Sequence, residues 1–255
     1  MLRFIELSIP SYSLLTAIGI IVAVYFLYCR NEAFGIKFKQ LFIYTLIILA
    51  FMAIGSRVVF VISQIPSAIA MQSWHKILHS ILGGGFVFYG GLYGAVLAVF
   101  LIEKNRKIEK NHLMNYFIPA FPVFHFFGRI GCFLAGCCYG IPSSFGVVLA
   151  EVDTLTRLPV QLFESGYNLI MVIVLLIIEN RCKRQGKRYN MLFCYLAMYA
   201  PFRFVIEFFR GDALRGAFGP LSTSQWISLI TVITLATIII IKVVKEKKKS
   251  EKVSA

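Results

Sequence analysis

The sequence predicts an all-α fold, a polytopic integral membrane protein of seven transmembrane helices with its amino terminus outside the cytoplasm and its carboxyl tail inside. Three observations carry this. The 255-residue chain is 58% hydrophobic and only 15% charged, with a mean hydropathy of +0.77, whereas soluble domains are about one-quarter charged. Several stretches approach the roughly 20 apolar residues that cross a hydrocarbon core of about 30 Å. Eighteen of the 26 basic residues fall in four polar segments, 30–39, 103–112, 179–188 and the tail from Lys242. The segments between them are poor in Lys and Arg, and this alternation is the positive-inside pattern that sets orientation. The net charge of +14 is therefore read as topology and attraction to anionic headgroups, with the membrane as partner and no nucleic acid.

The expected spans, in order, are 9–28, 41–62, 82–102, 113–133, 160–178, 189–208 and 225–244, within one membrane domain covering 1–255. The first span is read as an anchor, because no small-residue cleavage site follows it. The fourth is interrupted by Pro119, Pro122, Gly128 and Gly131. Three connections fall outside. Segment 63–80, with Trp74, His75 and His79, is expected to rest on the interface. Segment 134–159 is a loop rich in Gly, Pro and Ser, and 211–224 is a short polar connection carrying Arg215. The terminal lysines form a solvated inside tail.

Charged side chains within the apolar spans are the informative residues. They are Arg57 in GSRVVFV, Arg129 in FFGRIGCF, Glu164 in the fifth span, and Arg203, Glu207 and Arg210 in RFVIEFFR. An ionisable group at membrane depth costs roughly 2.5–3.5 kcal/mol on insertion scales and marks a functional site by default. The bland reading is mutual pairing, as Arg203 and Glu207 allow at i,i+4. Four arginines against two acids leave a cationic cavity if they converge. Arginine stays charged and grips phosphate bidentately, so such a cavity suits an anionic phospholipid headgroup. The glycines of LGGGFVFYGGLYGA in the third span have two readings, close helix approach or broken helix lining a cavity.

Four motifs then carry a resemblance: GSRVVFV, FYGGLYG, GRIGCFLAGCCYG, and the pair LPVQLFES with YAPFRFVIEFFR. In this order and spacing the chain resembles the bacterial prolipoprotein diacylglyceryl transferase family. The resemblance implies an enzyme of the bacterial cytoplasmic (inner) membrane whose active site faces the outer leaflet. It implies transfer of the diacylglyceryl group of phosphatidylglycerol to the lipobox cysteine thiol of a prolipoprotein signal peptide, with release of glycerol phosphate and without a cofactor. By resemblance Arg129 binds phosphatidylglycerol, Arg203 is the essential arginine of the sixth-span motif, and Glu207 and Arg210 accompany it. Gln161 and Glu164 match the polar entry to the fifth span, and Arg57 joins the substrate-binding set. Such chemistry needs a neutralised phosphate leaving group and a thiol whose pKa is lowered by a base or a positive field.

The sequence departs from the family where the third-span histidine is Tyr89, the asparagine after GRxG is Cys132, and the glutamate of the NGE segment is Cys137. Tyr89, with an unperturbed pKa of about 10, is a poor base. Thiol activation is then expected from field and substrate, with Tyr89 at the catalytic centre and Cys132 and Cys137 lining the substrate site. A different acceptor with the same donor, or a lipid-binding or transport protein without catalysis, are the rival readings.

Of the six cysteines, Cys29, Cys182 and Cys194 read as apolar fillers or inside-loop thiols. For Cys132, Cys137 and Cys138 four readings stay open: packing or hydrogen bonding, a disulfide, a covalent nucleophile, and last a metal site, because there is no C-x-x-C and no histidine follows at ligand distance. His125, one turn before Arg129, either lines the same cavity or stacks in a helix interface. His112 belongs to an inside loop.

Overall fold

The computed structural model describes residues 2–4, 7–70, 75, 78, 87–149, 152–212 and 217–253. It is helical throughout its apolar segments, and the helices are α1 Ser11–Tyr28, α2 Asn31–Phe34, α3 Phe38–Ala70, α4 Phe88–Arg106, α5 His112–Phe117, α6 Ala120–Leu134, α7 Val160–Arg184, α8 Met191–Ile206 and α9 Thr223–Val253. Backbone groups in hydrocarbon must bond within their own segment, and long apolar helices are the solution here. Among the described residues, six stretches are long and apolar enough to span: Ser11–Tyr28, Phe38–Ser63, His112–Leu134, Val160–Arg184, Met191–Phe209 and Thr223–Lys245. The chain is a multi-pass membrane protein. The remaining expected span, 82–102, overlaps α4, which starts at Phe88, runs on into Glu103, Lys104 and Arg106 and is not among the six. Residues 81–86, with Gly83, Gly84 and Gly85, lie outside the described residues.

Among the described residues, three short antiparallel hairpins supplement the expected helices. They are β1 Leu2–Phe4 with β2 Leu7–Ile9, β3 Pro142–Val148 with β4 Thr156–Arg157, and β5 Ala217–Phe218 with β6 Leu221–Ser222. All fall between or before the helices, where backbone need not be self-satisfied in lipid. The second hairpin orders part of the segment expected to be a plain loop. The helix begun at Phe38 continues to Ala70, so the segment from 63, expected outside, begins as helix. Trp74, His79 and Arg215 lie outside the described residues, and His75 is exposed.

Two glycine-rich contacts set the packing. A Cβ on Gly90 would meet the carbonyl oxygen of Gly55, and one on Gly94 would meet that of Phe51. Helices α3 and α4 therefore touch backbone to backbone, the small-residue packing of membrane helices. Helix α1 packs on α6, α6 on α7, and α9 on α8. Polar staples tie helix ends together. Buried Glu103 accepts from the amides of Asn111, Leu113 and Met114 at 2.8–3.2 Å. Glu179 pairs with Arg30 at 2.8 Å and Lys183 at 2.6 Å. His112, assigned by sequence to an inside loop, bonds the Phe34 carbonyl through Nε2 at 2.9 Å.

Candidate functional site

Three helices bring their charges to one place. Glu164, on the first turns of α7, pairs with Arg129 of α6 and, at 2.5 Å, with Arg203 of α8. Arg203 also pairs with Glu207 one turn on, at 2.6 Å, the i,i+4 contact its spacing predicts. Arg210, just past the 3-10 turn Glu207–Phe209, lies 4.0 Å from Glu207 and 2.7 Å from Asp212. Arg129, Glu164, Arg203, Glu207 and Arg210 are all buried, so each charge is desolvated and must be met by another. Here the expectation of arginines outnumbering acids needs amendment. Asp212, placed by sequence in an outside connection, grips Arg210 through two bonds of 3.0 and 2.7 Å. Among the described residues, three arginines of the cluster thus face three carboxylates.

Pairing does not exhaust the donors. Arginine carries five N–H groups, and the buried Nε of Arg129 has no hydrogen-bond partner among the described residues. Among the described residues, its Nη1 reaches only the Cys132 sulfur, at 3.8 Å, a weak acceptor. A buried unsatisfied donor costs about 1–3 kcal/mol, a cost that an anion's oxygen would remove.

Tyr89 is fully buried at the start of α4, with its hydroxyl 2.5 Å from Ser228 Oγ on α9. Ser224, one turn earlier on the same helix, accepts from Arg203 at 3.4 Å. The last span thereby links Tyr89 to Arg203 through two serines that sequence reading passed over. The available signal was their i,i+4 spacing at the head of an apolar helix. His125 stacks on Phe88 with ring centroids 4.1 Å apart and tilts against Tyr199 at 5.8 Å, which is the helix-interface reading. Arg57 is half-buried on α3, next to Ser56, whose hydroxyl donates to the Val87 carbonyl at 2.9 Å. None of the ion pairs described above joins Arg57 to the cluster.

The loop after α6 closes one side. The Gln161 amide donates to the Cys137 carbonyl at 2.8 Å. Gly140 forms a backbone bridge with Arg210, and Arg157 donates to the Gly140 carbonyl at 3.1 Å while lying 4.6 Å over the Tyr139 ring. Arg157 is itself held by Asp153, whose carboxyl lies below the usual carboxylate range because the Arg157 guanidinium donates to it. All six cysteines are free thiols. Cys132, Cys137 and Cys138 gather so that their sulfurs lie within 4.8 Å of one another.

Comparison with known proteins gives one consistent answer. A family model described as prolipoprotein diacylglyceryl transferase matches residues 1–241. A Clostridium perfringens protein named phosphatidylglycerol–prolipoprotein diacylglyceryl transferase 2 is 34% identical over 88% of this chain and 87% of its own length. Proteins of the same name, without the numeral, from Clostridium tetani and Streptococcus mutans are 31% and 30% identical over 89% of this chain, and 90% and 88% of their own lengths.

Proposed function

The chain belongs to the prolipoprotein diacylglyceryl transferase family, and from that premise we propose that it moves the diacylglyceryl group of phosphatidylglycerol onto the lipobox cysteine of a prolipoprotein. In the balanced reaction the cysteine sulfur bonds to the terminal glycerol carbon of diacylglycerol as the bond from that carbon to the phosphate oxygen breaks. Glycerol phosphate leaves, and the proton lost by the thiol ends on that phosphate monoester. The work takes place at the outer leaflet of the bacterial cytoplasmic membrane, in one seven-span domain with its amino terminus outside.

The observation that carries the reading is the buried guanidinium of Arg129, held on one side by Glu164 and with an unused Nε donor. In our account Arg129 takes the phosphate of phosphatidylglycerol, and Glu164 with Gln161 holds the entry to α7 in place around it. Arg203, oriented by Glu164 and Glu207, stabilises the charge that grows on the leaving phosphate. Donors preorganised toward developing charge give typically a hundred- to a thousand-fold in rate each. Arg210, Arg57, Cys132 and Cys137 complete the substrate-binding set. In this reading Tyr89, whose hydroxyl shares a hydrogen bond with Ser228, contributes a hydrogen bond and takes no proton, and the positive field activates the thiol.

The test is release of glycerol phosphate from labelled phosphatidylglycerol by purified protein, with and without a lipobox peptide. Release that requires the peptide supports the reading. Release without it, or with hydroxyl acceptors alone, transfers the assignment to another acceptor. No release in either case makes the protein a lipid binder.

A further inference from the structure

We propose that Cys132, Cys137 and Cys138 form a binding site for a thiophilic divalent cation of the Zn2+ type. Their three sulfurs lie within 4.8 Å of one another. Zinc bound by sulfur at about 2.3 Å requires tetrahedral neighbours roughly 3.8 Å apart. The remaining difference is within reach of side-chain rotation.

The backbone explains why three cysteines that lack the usual metal spacing meet. Cys132 sits in the last turn of α6, and Gly136 (φ 64°) and Cys138 (φ 58°) both adopt left-handed conformations. Glycine does this freely, while a non-glycine residue there is uncommon. The two reversals bring the chain back over the helix end, where the Cys137 amide donates to the Cys132 carbonyl at 3.1 Å. Gln161 pins the Cys137 carbonyl from the neighbouring helix at 2.8 Å. Cys132 is buried and the other two thiols are half-buried, so an ion can enter.

Charge fits as well. A divalent ion with three thiolates carries one net negative charge, and Arg129 already directs Nη1 at the Cys132 sulfur from 3.8 Å. Such outer N–H contacts to ligand atoms orient and stabilise metal sites. Three protein sulfurs leave the fourth tetrahedral position to water. Bound there, the ion ties the end of α6 to the loop leading to Gly140, whose backbone pairs with Arg210. Metal loading then fixes the distance between the Arg129 and Arg210 arms of the site. This assignment does not depend on the transfer reaction.

The experiment is titration of reduced, metal-free purified protein with Co2+, followed by its sulfur-to-cobalt charge-transfer absorption. One equivalent should saturate the band, and Zn2+ should displace it. Cys137→Ser and Cys138→Ser should lose the band, while Cys182→Ser and Cys194→Ser keep it. Because a variant can fail to fold, wild-type protein is also alkylated with and without Zn2+. The ion should protect Cys132, Cys137 and Cys138 and leave Cys29, Cys182 and Cys194 reactive. Absence of the band with no selective protection overturns the proposal, as does a band that survives in both Cys137→Ser and Cys138→Ser.

Discussion

Arg203 donates to Glu164 at 2.5 Å across 39 positions of sequence, joining the amino-terminal turns of α7 to α8. The same carboxylate also meets Arg129, so one glutamate is the counter-charge for both arginines to which the chemistry is assigned. Removing one member of a buried pair leaves an uncompensated charge and costs about 3–5 kcal/mol. Glu164→Ala should therefore lower the thermal unfolding midpoint in lipid or detergent, and Glu164→Gln should destabilise in the same direction while keeping the volume. An unchanged midpoint in both variants would show that the arginines have other partners.

Arg129→Ala should abolish turnover and weaken retention of phosphatidylglycerol on the purified protein. Arg129→Lys should restore only part of it, because an ammonium keeps the charge and loses the planar fork. Full activity in Arg129→Ala would remove the headgroup role.

Arg203 and Tyr89 should separate by size of effect. Arg203→Ala should cost roughly 3–4 kcal/mol of transition-state stabilisation, read as a ratio of kcat/KM values. Tyr89→Phe removes one hydrogen bond, to Ser228, and should cost only about 0.5–1.5 kcal/mol. Ser228→Ala should cost about the same. The double variant should cost less than the sum, since both changes delete one bond. A loss in Tyr89→Phe as large as that in Arg203→Ala would make the tyrosine a base after all.

How far the residues disclosed these contacts depends on the physics behind each. The spans at 11–28, 38–63 and 223–245 follow from composition, because lipid as solvent demands apolar length. Arg203 and Glu207 were readable as a pair from helical spacing, and their contact at 2.6 Å follows it. The joining of Arg129, Glu164 and Arg203 depends on how three helices pack, which no local pattern encodes. Asp212 was hidden for a different reason. It stands two residues past Arg210 in a polar connection, where a carboxylate is ordinarily solvated. The three neighbouring cysteines were readable as a group, but the meeting of their sulfurs depends on backbone reversal at Gly136 and Cys138, and spacing rules for metal sites assume ordinary turns.

Orientation is tested independently of chemistry. Reporter fusions at Lys107, Lys183 and the lysine tail should read inside, and fusions near Ser143 and Arg215 should read outside, as loop charge requires. An outside signal at Lys183 would invert the arrangement and place the arginine cluster at the wrong leaflet.

The most direct measurement is the mass of a lipobox peptide's cysteine after incubation with the protein and phosphatidylglycerol. The account predicts that wild-type protein adds one diacylglyceryl group to that sulfur and that Arg129→Ala adds none. The contradicting result is an unmodified cysteine with wild type, together with labelling restored by the combined Tyr89→His, Cys132→Asn and Cys137→Glu changes. That outcome would keep the family and the fold, and would remove the prolipoprotein as this protein's substrate.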